Sequence, residues 1–259
     1  MASVSRRVID WAAAFEDGKI IRAAFFGLLT ATGVILYLDY SDLNARQPLV
    51  ASPDLSPILP AFDPKAPGGK PGPEVTTPME VLRQPLSVKL STGGVLDLTG
   101  TIDPGAADRV AAEVADHGEY VKTVALNSPG GAVVDALAIG RLIREKGYST
   151  SVAAGALCAS SCPLMFAGGR ERVASSKAAI GVHQVYAAAP VGSITSQLQA
   201  AGNAMSDAQA LTAKISRYLH EMGIDDEVWL KALETPPSQL TYLSPDELRR
   251  LNLATRLVQ

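Results

Sequence analysis

Three short stretches of the chain carry the residue types that acyl transfer requires. They are L-N-S-P-G-G at 126–131, L-C-A-S-S-C-P at 157–163 and I-G-V-H-Q at 180–184. The second stretch offers the hydroxyls of Ser160 and Ser161 just past an apolar run at 151–156, where a helix is expected to start. At such a start, free N–H groups and the helix dipole favour developing negative charge. An unassisted serine is a weak nucleophile near neutral pH, and histidine is the side chain most readily tuned to take its proton. His183 is the candidate base. The Ser-Pro-Gly-Gly turn supplies the remaining part, because two adjacent glycines permit φ > 0 and close backbone approach, which lets N–H groups face an oxyanion. Each stretch also has a purely structural reading. Pro-Gly-Gly turns are common at strand ends, a serine often caps a helix, and a histidine often sits hydrogen-bonded in a core. The combination of all three is what points to chemistry.

Each stretch follows an apolar, strand-like run, so strand ends must bring the three together. A folded domain is expected from Leu86 onward, with strands at 87–91 and 95–102 around a Gly-Gly turn. A helix from about 104 to 117 and a strand at 121–127 follow. After the glycine turn, Val133, Ala136, Leu137, Gly140 and Ile143 recur at three-and-four spacing, which gives a helix one buried face. Strand-helix units repeat through Gly169, a pattern that predicts an α/β fold with parallel strands and right-handed crossovers. Beyond His183 the spacing predicts a long polar helix over 193–222, a short helix over 226–233 and a closing segment at 242–248 with Ser244 as cap.

At these residues the chain resembles the superfamily shared by the Clp protease proteolytic subunit, signal peptide peptidase A and the crotonases. N-S-P-G-G is similar to the oxyanion-hole motif of the first two, and C-A-S-S-C-P-L-M-F-A-G-G to their nucleophile segment. From Gly131 to Ser160 the resemblance to the Clp subunit runs without a gap, which implies Ser160 rather than Ser161 as nucleophile. It also implies that the N–H groups of Gly131 and Ser161 form the oxyanion hole. R-V-A-S-S-K-A-A-I-G-V-H-Q resembles the strand pair that carries the catalytic histidine of the Clp type, in place of the lysine of signal peptide peptidase A. For the third triad member the nearest match is Glu234, followed by two prolines that lengthen the connection. The resemblance covers roughly the last two-thirds of the chain. It implies a spiral of strand-helix units, peptide or protein substrates, no cofactor, and a homo-oligomer assembled through the long helix after His183. Two other readings stay open: a catalytically silent module that binds peptides or a partner, which Pro163 in place of a small residue favours, and a crotonase-type enzyme acting on coenzyme A thioesters.

The 259 residues are 47% hydrophobic and 19% charged, which suits a folded chain with a sizeable core. A net charge of −3 without a basic cluster argues against nucleic acid as a partner. Residues 20–38 are apolar apart from Arg22, close to one bilayer crossing, with Arg6, Arg7 and Lys19 before them and Asp39 and Asp42 after. This predicts a cytoplasmic N-terminus at 1–19, an uncleaved membrane anchor at 20–40, and the rest of the chain outside the cytoplasm, in a periplasm or its equivalent. From 48 to 85 prolines recur without period, so 41–85 reads as a semi-rigid linker and 86–259 as the hydrolase domain. Outside the cytoplasm Cys158 and Cys162 are expected to pair as a disulfide across the proposed nucleophile. Their spacing is not that of a Cys-x-x-Cys redox motif, and the histidines at 117, 183 and 220 lack metal-ligand spacing.

Overall fold

Where the apolar runs break decides how the strands are shared between two sheets. The structure is a computed structural model that describes residues 17–45, 72–185 and 194–259. The expectations for residues 1–16 and for the linker at 46–71 lie outside the described residues. The chain divides into two units. In the first, helix α1 (Asp17–Ala45) contains the window Ile21–Leu38, which has a mean hydropathy of 1.7, none of it buried. It is long and apolar enough to cross a membrane.

The second unit opens earlier than the prolines suggest. A short helix, α2 (Met79–Leu82), precedes the hairpin of β1 (Ser87–Ser91) and β2 (Val95–Thr99). Leu82 is fully buried, and Val75 and Met79 pack on the same small cluster as Leu157, Ala159 and Ala179. Residues assigned to the linker from composition therefore belong to the packed domain. A proline-rich segment stays unpacked only when it has nothing apolar to bury, and this one carries three large apolar side chains.

Helix α3 (Ala106–His117) follows, then β3 (Thr123–Asn127), α4 (Val133–Lys146) and β4 (Ser149–Val152). The predicted face of α4 is observed in part: Ala136, Ile139, Gly140 and Ile143 are buried. Next come β5 (Leu157–Ala159), α5 (Cys162–Ala167), β6 (Arg172–Ser175) and β7 (Ala179–Val182). Helices α6 (Ile194–Glu221) and α7 (Glu227–Glu234), strand β8 (Thr241–Tyr242), helix α8 (Pro245–Arg250) and β9 (Arg256–Val258) complete the order. Ser244 caps α8 as expected, in a reciprocal capping box with Glu247.

A six-stranded sheet has the order β1-β2-β3-β4-β6-β9, antiparallel only at the β1–β2 hairpin. A second sheet has the order β5-β7-β8. The result is a mixed α/β fold with a mostly parallel main sheet. Gly155 at φ +72 turns the chain between β4, in the large sheet, and β5, in the small one. Two features depart from the sequence reading. Strands β6 and β7 are not a pair: β6 lies in the large sheet and β7 in the small one. Val95–Thr99 also ends before the predicted 102, and Ile102 instead forms an isolated parallel bridge to Gly131.

Candidate active site

The small sheet and the Gly-Gly turn converge on Ser160. β5 and β7 are parallel with Ala159 opposite Gly181, and the Ser160 N–H donates to the Gly181 carbonyl at 3.0 Å. Carried one residue on, that register puts Ser160 beside Val182, with His183 the first residue past β7. On the other side of β5, Ser128 bridges Cys158: the Ser128 N–H donates to Leu157 and the Ala159 N–H donates to Ser128. Strand ends from 128, 159 and 182 are thereby tied side by side.

Ser160 takes φ +61, a left-handed conformation that a residue with a side chain rarely adopts. Such an outlier costs roughly 1–2 kcal/mol and persists only where its surroundings impose it. A sharp positive-φ turn between a strand and a helix projects a hydroxyl away from both, the geometry that nucleophilic serines use on α/β scaffolds. Ser161 is buried at the N-cap of α5, but its Oγ donates to the Gly131 carbonyl at 3.1 Å and accepts nothing from the helix N–H groups. Ser160 therefore keeps its hydroxyl for the pocket, while Ser161 is committed to the glycine turn.

That turn explains both glycines. Gly131 has φ +144, and a Cβ there would lie 2.2 Å from the Ile102 carbonyl oxygen. The bridge to Ile102 uses the Gly130 carbonyl and the Ala132 N–H. The Gly131 carbonyl itself points the other way, where it accepts from the Ser161 Oγ, and the alternation of extended backbone turns the Gly131 N–H away from Ile102 as well. Neither the Gly131 N–H nor the Ser161 N–H donates a hydrogen bond among the described residues.

His183 is buried, 5% exposed, and lines the same cavity of about 70 Å³ as Gly131, Ser160 and Ser161. Burial holds its pKa below the usual histidine value, so the imidazole is neutral near pH 7. Its Nδ1 is sealed from solvent without a hydrogen-bond partner. Glu234 is exposed at the end of α7 and forms no hydrogen bond to His183 among the described residues; the Gln184 N–H and side-chain amide bind the carbonyls of Thr235 and Leu233 on either side of it. These bonds fix the α7 backbone against β7 with the Glu234 carboxylate facing out.

The rest of the cavity is apolar. Ile215 and Leu219 from α6, Val228, Trp229 and Ala232 from α7, and Pro163 and Leu164 from α5 line it. The Trp229 indole N–H is buried there without a partner. Reading 193–222 as a polar helix misses this wall. Leu211, Ile215, Tyr218, Leu219 and Met222 recur at three-and-four spacing over the last turns of α6, which is the signal that would have found it. Cys158 and Cys162 are joined by a disulfide, Cα–Cα 5.1 Å, with Ser160 midway between them.

No protein-family profile and no curated protein sequence matches the chain. Among solved structures, the chain is similar to a single-residue mutant of ClpP1 from Listeria monocytogenes, at 16% identity and a TM-score of 0.48. The match covers 64% of this chain and 92% of that one.

Proposed function

We propose that the chain is a serine hydrolase that cleaves peptide bonds through a Ser160–His183 dyad. The observation that carries this reading is Ser160, forced into a left-handed backbone at a cavity that also holds a neutral, partner-free imidazole. Of the two ring nitrogens, Nδ1 is the sealed one, which leaves Nε2 to take the Ser160 proton. The Oγ attacks the substrate carbonyl, and the N–H groups of Gly131 and Ser161 receive the oxyanion. The imidazolium returns its proton to the leaving amine, and water activated by the same histidine releases the acyl group. No cofactor enters these steps. The apolar walls from α6 and α7 suit an apolar substrate side chain.

Helix α1 supports a membrane anchor, and the closed disulfide supports placement of the domain in an oxidising space outside the cytoplasm. We assign self-association to the solvent-facing part of α6 around Met205, which is 67% exposed. Light scattering of the detergent-solubilised chain tests it, and a monomer would remove the assignment.

A second reading, a silent module that binds peptides in the same groove, is favoured by one observation: among the described residues no carboxylate bonds the His183 Nδ1. Labelling of the full-length chain with a fluorophosphonate separates the two. A hydrolase labels at Ser160, loses labelling in Ser160→Ala and His183→Ala, and keeps it in Ser161→Ala. A folded, oxidised chain that does not label is a binding module.

A further inference from the structure

The Cys158–Cys162 ring encloses the residues that matter most to this site. Between its two sulfurs lie Ala159, Ser160 and Ser161, and both ends of the ring are anchored. Cys158 is held in β5, opposite Ile180 and bridged to Ser128. Cys162 begins α5, all six residues of which are buried. At the centre, Ser160 sits at φ +61 with one backbone hydrogen bond, to Gly181, and no side-chain bond among the described residues. Local hydrogen bonding does not account for that conformation. A short covalent ring with fixed ends adds a constraint of its own, because closing it removes the extended alternatives open to the three enclosed residues.

We propose that the disulfide is a positioning device for Ser160, so that the nucleophile is formed only on oxidation and the reduced chain is folded but latent. This rests on the reading of Ser160 as nucleophile. The step is thiol–disulfide exchange: the two cysteine thiols pass two electrons and two protons to an acceptor disulfide, which leaves as a dithiol. Both cysteines are fully buried in the finished structure, so the closed ring is shielded from thiol reductants once packing is complete. Latency therefore belongs to the newly made chain. It keeps the hydrolase silent in a reducing compartment and activates it where disulfides form.

The test measures fluorophosphonate labelling of the full-length chain in detergent and separates the maximal inactivation rate from the probe's half-saturating concentration. Oxidised wild type is compared with wild type reduced in mild denaturant and returned to reducing buffer, and with Cys158→Ala/Cys162→Ala. Near-ultraviolet circular dichroism reports whether each is folded. Displacement of a nucleophile by around 1 Å lowers the maximal rate about 100-fold with little change in half-saturation, because the pocket walls are intact. Re-oxidation of the reduced wild type restores the rate. Equal labelling of folded reduced and oxidised chains overturns the proposal and leaves the hydrolase reading standing. If the reduced chain and the double variant both lose native circular dichroism, the bond serves the whole fold and the proposal is likewise overturned. Absence of labelling in the oxidised chain refutes the hydrolase itself, and this inference with it.

Discussion

Replacing Gly130 by alanine strikes the site at one atom pair. The added Cβ would lie 2.5 Å from the Ser160 Cβ, 2.7 Å from the Ala159 carbonyl oxygen and 3.0 Å from the Ser161 nitrogen. Carbon atoms pack at roughly 3.5–4.0 Å, so Ser160 has to retreat by about 1 Å or the glycine turn has to open by the same amount. Gly130 also sits at φ +100, a conformation that alanine avoids. Strain and crowding together amount to about 2–5 kcal/mol, which lowers the melting temperature by roughly 5–20 °C in a domain of this size. Below that melt, the retreat of Ser160 should slow fluorophosphonate labelling about 100-fold. Gly105→Ala is the control: it shares a positive φ, +86, but its Cβ would meet nothing within 4 Å. It should cost about 1–2 kcal/mol and leave labelling unchanged. A folded Gly130→Ala chain that labels as fast as wild type would mean that Ser160 is not the reacting group, or that this corner does not hold it.

Glu234→Gln should leave the labelling rate within about twofold of wild type, since the carboxylate is exposed and makes no bond to His183; a loss of 100-fold would restore it as the orienting acid. The lowered pKa of His183 predicts labelling that persists below the pH at which an ordinary histidine becomes protonated. Its contribution to stability is complete above the unfolded value of about 6.5 and is lost as pH falls through the lower folded value, which denaturant titration across pH 4–8 measures. The Cys158–Cys162 bond closes so small a loop that its reduction should lower global stability by only about 2 kcal/mol, read from chemical denaturation. Ser244→Ala removes the side-chain half of the capping box, leaves the backbone N–H of residue 244 on Glu247, and should cost about 1 kcal/mol. Glu247, whose pKa the backbone N–H of Ser244 pulls down to about 2, loses only the Ser244 hydroxyl bond, so its pKa should rise slightly and stay below the ordinary carboxylate value, as a carboxyl-carbon NMR titration would follow.

The candidate site was legible because its demands are local. A glycine pair, a serine at a strand-to-helix corner and a histidine at a strand end are each written in a few consecutive residues, and the α/β alternation is a matter of period. The left-handed backbone of Ser160 was not legible, since it sits where chain segments far apart in sequence meet: its N–H is held by Gly181, and a Cβ on Gly130, thirty residues away, would collide with it. The division of 149–159 and of 172–182 between two sheets was hidden for a related reason. Apolar content marks a buried strand without naming its neighbour, and the turns at Gly155 and after Ser175 decide the sheet. Glu234 was placed by sequence resemblance alone, and the bonds from Gln184 to Leu233 and Thr235 turn its carboxylate outward.

The small cluster under β5 governs where the chain can be cut. Val75, Met79 and Leu82 cover Leu157, Ala159 and Ala179. The Thr76 N–H binds the Gly155 carbonyl, and Asn127 joins Thr77 to the N–H of Leu157. A fragment trimmed at residue 86 strips that cover and wets the underside of the strand that leads into Ser160. A fragment that keeps this strand dry has to begin before Val75, so the last stretch of the proline-rich segment is the floor beneath the strand that leads into Ser160.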